Sequence, residues 1–427
     1  MSAIRMLYVS GSIGLGHVTR DLAVARELRA METGVELHWL AAPPASDVLA
    51  AGGEILVPEC ASYRCETDQA EAAAQGGHLS LTTYVYRALG CWLHNARVLG
   101  NAAKHGQFDV IIGNETYEVV VAYVFGMNVL PVDVPFIMMY DFYGMDVTTR
   151  NPLEWLGAWG LNFIWAQERR VTARQNNAAI FFGEPEDVPD HPFGVFLPNR
   201  RRYAEDHVEF VGYPLGFDIQ TVRDRPHLRA TLGYGSEPLV ICTVGGTAVG
   251  RSLLELCGRA YSLAAQRLPG LRMVLVCGPR IDPATLDVPQ GPERYGMVPD
   301  LYKHLAVCDL AVVQGGGTTT LEVTALRRPF LFFPIEGQSE QEVTIASRLA
   351  RQGAGVRMTQ GRTTPSSLAD AIVANVGREV TYAQIPAEGA RRAAQIILER
   401  ASAVSDRRLF GKPAQRNEFL DLVPSLL

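Results

Sequence analysis

The sequence predicts an α/β protein built from two doubly wound, Rossmann-like domains that face each other across a cleft. Three observations predict it. Short, unbroken apolar runs, such as residues 6–9, 108–113, 239–244 and 310–313, read as strands buried on both faces. Stretches of helical spacing follow them, and the glycines and polar residues cluster just past each run, at the carboxyl ends where open parallel sheets hold ligands. The 427 residues suffice for two domains of roughly 200 residues each. Composition shifts to Pro, Gly and charge over residues 182–237. The expected division is a first domain over 1–215, a linker over 216–235, a second domain over 236–400, and a tail over 401–427 that returns to the first domain.

Residues 5–10 form the first strand, and G-S-I-G-L-G-H follows at 11–17. Val18, Leu22, Ala25 and Leu28 then share one helix face. A dinucleotide-binding site does not fit: the spacing is G-x-x-G-x-G, and the next strand, 35–41, ends without a ribose-binding acid. His17 lies where the loop becomes a helix. Two roles fit it, a base that takes a proton from an acceptor hydroxyl, and a capping or substrate-positioning group. Residues 79–99 are predicted helical, with Tyr84, Leu89, Trp92 and Leu93 mostly in the core. The strand 108–113 ends at Asn114, Glu115 and Thr116, which either line the cleft and touch an acceptor or cap the next helix. The strand 135–140 ends at Asp141, placed to orient His17, to act as base itself, or to cap a turn.

Residues 152–166 hold three of the five tryptophans. Trp155, Trp159 and Phe163 fall on one helical stripe. That stripe reads as a core helix, an apolar acceptor wall, or a shallow membrane-docking face.

In the second domain, Gly245, Gly246 and Thr247 follow the strand 239–244, and G-G-G-T-T-T-L-E follows the strand 310–313 as residues 315–322. Gly315, Gly316 and Gly317 let backbone amides approach a ligand, and Thr318, Thr319 and Thr320 can cap the helix behind them. A helix start with bare N–H groups favours an anion. Glu322, one turn in, suits the vicinal hydroxyls of a ribose. After the strand 329–335, a polar loop presents Gln338, Glu340 and Gln341, amide and carboxylate groups suited to a polyhydroxylated ligand. Together they read as a sugar-nucleotide site.

G-G-G-T-T-T-L-E, then proline and a polar loop ending E-Q, resembles the donor-binding half of GT-B glycosyltransferases, in the inverting branch that contains the peptidoglycan and the plant and antibiotic UDP-sugar transferases. G-S-I-G-L-G-H resembles the first loop of the same branch, which puts Gly14 and Gly16 opposite the donor. Y-G-M-V-P-D at 295–300 resembles the segment whose backbone reads the nucleobase, near Met297 and Val298. Gln338 and Ser339 depart from the branch, in which many members carry an Asp before the Gln, and leave the donor sugar open.

The resemblance implies an inverting, metal-independent transfer from a nucleoside-diphosphate sugar, most simply a UDP-sugar, to a hydroxyl of a small molecule, natural product or glycolipid. The catalytic candidates are His17 and Asp141, and no metal or cofactor is expected. Two alternatives are a nucleotide-sugar epimerase of the same fold and a non-catalytic partner protein. A net charge of −6 without a basic run argues against nucleic acid. The apolar stretch 119–132 is shorter than a membrane span, which needs about 20 residues. Peripheral membrane contact stays open, and so does the oligomeric state. Seven cysteines without a C-x-x-C pair point to a cytoplasmic, reduced protein.

Overall fold

The computed structural model describes residues 3–11, 15–75, 78–173 and 177–410. Gly14 and the tail beyond residue 410 lie outside these residues. Among them, the first sheet has seven parallel strands: β1 (Ile4–Val9), β2 (Val35–Leu40), β3 (Ile55–Leu56), β4 (Val110–Asn114), β5 (Phe136–Tyr140), β6 (Ala178–Phe182) and β7 (Glu209–Gly212). Their spatial order is β3-β2-β1-β4-β5-β6-β7. The second sheet has six parallel strands: β8 (Leu239–Thr243), β9 (Arg272–Val276), β10 (Glu293–Tyr295), β11 (Leu310–Gln314), β12 (Phe330–Phe333) and β13 (Val356–Arg357), in the order β10-β9-β8-β11-β12-β13.

The central strands of both sheets are covered on both faces, which is why β5 (F-I-M-M-Y) and β12 (F-L-F-F) are apolar throughout. In the first sheet Leu7, Ile111, Met138 and Phe181 belong to one core, and Met6, Val110, Ile137 and Ile180 to the other. The same alternation divides the second sheet, with Val240, Val312 and Phe333 against one layer and Ile241, Val313 and Phe332 against the other. The strand order reverses beside β1 in the first sheet and beside β8 in the second, so each domain opens a crevice at those carboxyl ends.

Five helices of the first domain frame its crevice: α1 (Gly16–Met31), α2 (Thr67–Ala73), α3 (Leu81–His105), α4 (Tyr117–Val124) and α5 (Pro152–Trp165). In the second domain α6 (Gly317–Ala325) follows β11, and α7 (Ala346–Gln352) follows a π-helical turn at Glu340–Ile345. The last helix, α8 (Gly389–Phe410), places Ala390, Ala393, Ala394, Ile397 and Ala401 in the first domain's core. The chain thus crosses back ahead of residue 401, because its small residues let α8 lie close against α1. The crossing is marked where Gly389 N–H donates to the Tyr213 carbonyl at 3.1 Å.

The Trp-rich helix has two apolar faces. Trp165 and Leu161 turn inward, but Trp155 is 60% exposed and Trp159 is 40% exposed. Neither is a core residue. Trp159 Nε1 donates to the Val195 carbonyl on the outer surface, with Phe163 stacked beside it.

The domains are held together by buried charge. Arg348 and Arg351 of α7 reach Asp187 of the first domain at 3.1 and 2.7 Å, and the Tyr213 hydroxyl donates to the same carboxylate at 2.7 Å. Asp187 is buried, and the facing charges of Arg348 and Arg351 hold its carboxyl below the usual range despite that burial.

Candidate functional site

Two glycine loops meet at the centre of the cleft. A side chain at Gly246 would fall 2.7 Å from the Leu15 backbone nitrogen, and one at Gly16 would fall 2.6 Å from Thr318 Oγ1. Neither loop could close on the other with a Cβ at these positions. One continuous cavity of about 240 Å³ runs between the loops and down into the first domain. Its wall carries Gly16, His17, Glu115 and Asp141 on one side, and Gly245, Gly246, Thr247, Gly316, Gly317, Thr318, Thr319, Glu340 and Gln341 on the other. Gly315 lies just behind this wall, where a Cβ would meet Pro334 and the Gln341 amide.

On the second-domain side, Gly316 is the N-cap of α6 and no side chain caps it. This departs from the threonine cap that the sequence suggests. Thr318, Thr319 and Thr320 lie inside the helix, and Thr320 Oγ1 bonds back to the Gly316 carbonyl at 2.8 Å. The first-turn amides therefore face the cavity without a side-chain competitor, the arrangement that favours an anion. Glu322, one turn further, is buried, and among the described residues its carboxylate has no hydrogen-bond or ion-pair partner. Burial pushes its pKa up to about 7.

Gln341 Oε1 accepts the Ile335 N–H at 2.9 Å, so part of that amide braces its own loop. Glu340 sits opposite Asp141, and burial, followed by the Asp141 charge, raises its pKa to about 8. Met297 and Val298 are not on the cavity wall. Met297 is exposed, and Val298 packs against the second domain's core.

On the first-domain side, the organising residue is one the sequence reading missed. Arg20, one turn into α1, is buried and extends its guanidinium across the ends of β4 and β5. It pairs with Asp141, and its Nη2 donates to His17 Nδ1 at 2.7 Å and to Asn114 Oδ1 at 2.8 Å. A guanidinium only donates, so the neutral imidazole carries its hydrogen on Nε2. That nitrogen lies 3.6 Å from Glu115 Oε2. Burial, then the Arg20 charge, lowers the His17 pKa to about 4. The available signal was the i, i+3 spacing of His17 and Arg20 at a helix start.

Asn114 is not a cleft residue. It is fully buried, accepts from Arg20, and donates to Asp21 Oδ1 at 2.6 Å, which places it behind the site as a brace. Asp21 is also bonded by Ser10 Oγ at 2.6 Å and by the Tyr8 hydroxyl at 3.1 Å. Glu115 does reach the cavity, on a left-handed backbone (φ +52°) that a residue with a Cβ rarely adopts. Burial, then the Asp141 charge, pushes its carboxyl well above the usual range. Burial acts on Asp141 in the same direction, but the Arg20 charge outweighs it and holds the Asp141 carboxyl well below the usual range. Trp155 and Trp159 do not line the cavity. The apolar part of its wall comes from residues the sequence reading assigned to packing or left aside, among them Tyr84, Trp92, Tyr117 and Trp165.

Among the described residues, no group of three or more His, Cys, Asp or Glu is arranged to hold a metal ion, and no helix is long and apolar enough to cross a membrane.

Residues 240–397 match the glycosyltransferase family 28 C-terminal domain. A UDP-N-acetylglucosamine–N-acetylmuramyl-(pentapeptide) pyrophosphoryl-undecaprenol N-acetylglucosamine transferase of Mycolicibacterium vanbaalenii is 30% identical over 223 residues, 47% of this chain and 53% of that protein. A lipid-A-disaccharide synthase of Pseudomonas putida is 37% identical over 145 residues, 32% of this chain and 38% of that protein. The chain thus spans about half the length, or less, of these curated relatives. The crystal structure of the glycotransferase of kitacinnamycin superposes with a TM-score of 0.57 at 18% identity, covering 96% of this chain and 98% of that one, a likeness of fold. The chain has the GT-B fold, is related in sequence to glycosyltransferases, and carries a glycosyltransferase family 28 C-terminal domain over residues 240–397.

Proposed function

We propose that this protein is an inverting glycosyltransferase that moves a sugar from a nucleoside-diphosphate sugar to a hydroxyl of an acceptor. The observation that carries the proposal is the single cavity that joins an uncapped helix start on one domain to an acid–base cluster on the other. The amides of Gly316, Gly317 and Thr318, with the α6 dipole, take up the charge that grows on the leaving diphosphate, so the departure needs no cation. The Gly245–Thr247 loop supplies further amides. Glu322 receives the ribose hydroxyls, and Glu340 and Gln341 receive those of the sugar. The segment at Met297 and Val298 offers backbone groups to the base. UDP is the simplest donor nucleotide, in keeping with the UDP-sugar named for the mycobacterial relative.

The acceptor proton goes to a group that is unprotonated at neutral pH. Burial and the facing Asp141 charge bias Glu115 and Glu340 toward their protonated forms, which favours Asp141 and His17. Arg20 occupies His17 Nδ1, and Nε2 bears hydrogen, so His17 acts as a donor that orients the acceptor oxygen. Asp141 receives the proton late, when the attacking hydroxyl has become strongly acidic. Seven cysteines without a C-x-x-C pair are the usage of a reducing compartment, and a cytoplasmic location is part of this reading.

One observation favours a second reading. Glu115, Asp141 and Glu340 gather around one position, more acid–base groups than a transferase needs and enough for an epimerase working on the sugar itself. Turnover of a UDP-sugar without any acceptor selects that reading.

The donor site is tested by calorimetric titration with UDP, dTDP and GDP in the presence of EDTA, on wild type and Glu322→Ala. The expected result is that one nucleotide binds and the variant loses about 1.5–3 kcal/mol, the value of hydrogen bonds to a charged group. If no nucleotide binds, the transferase reading fails.

A further inference from the structure

Below Asp141 the cavity leaves the cleft and continues into the first domain between α2, α3, α4 and α5. This chamber is walled by Tyr84, Trp92, Tyr117, Phe142, Met145 and Trp165, and Val120, Val121, Leu161 and Ile164 fill the spaces between the rings. Trp165 packs edge-on against Tyr117 and Phe142, with centroids 4.7 and 5.3 Å away, and Tyr84 meets Trp92 in the same way at 6.2 Å. Apart from Glu66, whose carboxylate is taken up by the Tyr84 hydroxyl, a wall of this kind has little to offer a sugar, whose hydroxyls each need a donor or an acceptor.

Besides the paired Glu66 carboxylate, the chamber holds further polar atoms. Among the described residues, the indole N–H of Trp92 (4% exposed), the indole N–H of Trp165 (6% exposed) and the Tyr117 hydroxyl are buried with no hydrogen-bond partner. All three can donate. Native interiors leave few such groups unmet, and three around one cavity point to oxygens that a ligand brings. The chamber is also joined to the chemistry: Phe142 directly follows Asp141, and Tyr117 lies two residues past Glu115.

We infer that this chamber is the acceptor subsite, and that the acceptor is an apolar, ring-containing molecule bearing carbonyl or ether oxygens in addition to the hydroxyl that becomes glycosylated. The inference rests on the transferase reading. The ring system lies against Tyr117 and Trp165 and the extra oxygens take up the three donors. The reacting hydroxyl projects from the mouth of the chamber toward Asp141.

The test uses the full chain without any donor, so it does not depend on transfer. Quenching of tryptophan fluorescence is titrated with 2-hydroxyanthraquinone, farnesol and N-acetylglucosamine, with UDP binding measured in parallel. The expected result is saturable quenching by 2-hydroxyanthraquinone, which Tyr117→Phe weakens about 5- to 10-fold, the effect of one lost hydrogen bond. Ile164→Trp, which fills the chamber, abolishes it. UDP affinity stays unchanged in both variants, and this shows them to be folded. Binding of N-acetylglucosamine alone overturns the inference. So does farnesol binding as tightly as the quinone, because the prenyl alcohol brings only its one hydroxyl and no carbonyl or ether oxygens for the remaining donors, and so does quinone binding that Tyr117→Phe and Ile164→Trp leave unchanged. Loss of UDP binding in the wild type instead defeats the donor reading, a separate outcome.

Discussion

The two halves of the cleft solve the problem of holding a ligand by different means. The second domain presents backbone: glycines at 245, 246 and 315–317 and the bare first turn of α6 offer amides whose position is fixed by the strand behind them. The first domain presents side chains, and Arg20 ties four of them, His17, Asn114, Glu115 and Asp141, into one charged cluster above an apolar chamber. A backbone site suits a group common to many ligands, such as a diphosphate. A side-chain site can be remade by substitution, so in the proposed reading it is the half that sets which acceptor is used and what becomes of its proton.

The sharpest way to break this contrast is to remove the proposed base. Asp141→Asn is expected to lower kcat by about 10²–10⁴-fold, the range of general acid–base catalysis, with the UDP dissociation constant unchanged. A collapse of UDP affinity would place Asp141 in the donor site instead. A larger loss of kcat in His17→Ala than in Asp141→Asn would exchange the two roles.

Next in size is the cluster's anchor. Arg20→Met leaves Asp141 buried without its cation, and breaking a buried pair in this way destabilises by about 3–5 kcal/mol. Urea unfolding measures that loss, and Arg20→Lys should recover part of it. A purely structural arginine would leave His17 as it is. The proposed arrangement predicts that the imidazole pKa, followed by NMR in Arg20→Lys, moves up from about 4 as the hydrogen bond to Nδ1 is lost.

One group from each half, His17 and Glu322, answers pH in opposite directions. His17 is depressed from 6.5 to about 4, so the unfolded chain binds more protons between those values and stability falls as pH drops through that window. Glu322 is raised from 4.5 to about 7, so its contribution is complete below 4.5 and is lost as pH rises through 7. Glu322→Gln is therefore expected to raise the melting temperature at pH 8 relative to wild type and to leave it nearly unchanged at pH 4. The same variant weakens nucleotide binding. Equal melting shifts at both pH values would show that Glu322 is not held protonated by burial.

This contrast also decided what was legible. The second-domain wall of the cavity could be read because its glycines stand in an unbroken stretch, where few roles other than close backbone approach account for them. The first glycine loop, Glu115 and Asp141 stood out because each follows a strand end, and His17 because it closes that loop at a helix start. Arg20 was not, because an arginine inside an amphipathic helix has the same local pattern whether it faces solvent or a cluster. Trp155 and Trp159 misled in the other direction, since helical spacing marks a stripe and cannot say which of two apolar faces of α5 turns inward. The chamber was invisible because Tyr84, Trp92, Tyr117 and Trp165 come from three helices, and their periodicity is that of ordinary core.

The smallest effect concerns how one half closes on the other. Helix α2, whose Ala70 lines the chamber, is pinned from the opposite domain. Glu71 accepts the Ala248 N–H at 2.8 Å, just past the Gly245–Thr247 loop, and both Glu71 and Asp68 take Arg280, at 3.0 and 2.5 Å. The loop proposed to hold the diphosphate thus also holds a wall of the acceptor subsite. Because the Arg280 pair is partly solvent-exposed, a double-mutant cycle of Glu71→Ala and Arg280→Ala should give a coupling of only about 0.2–1 kcal/mol in stability. Its consequence for binding is larger in kind than in size. With the latch removed, α2 is free to open while the second domain stays closed, so the acceptor can enter after the donor. Initial-rate patterns should then change from ordered to random addition. Ordered addition that survives in the double variant would assign α2 a packing role alone.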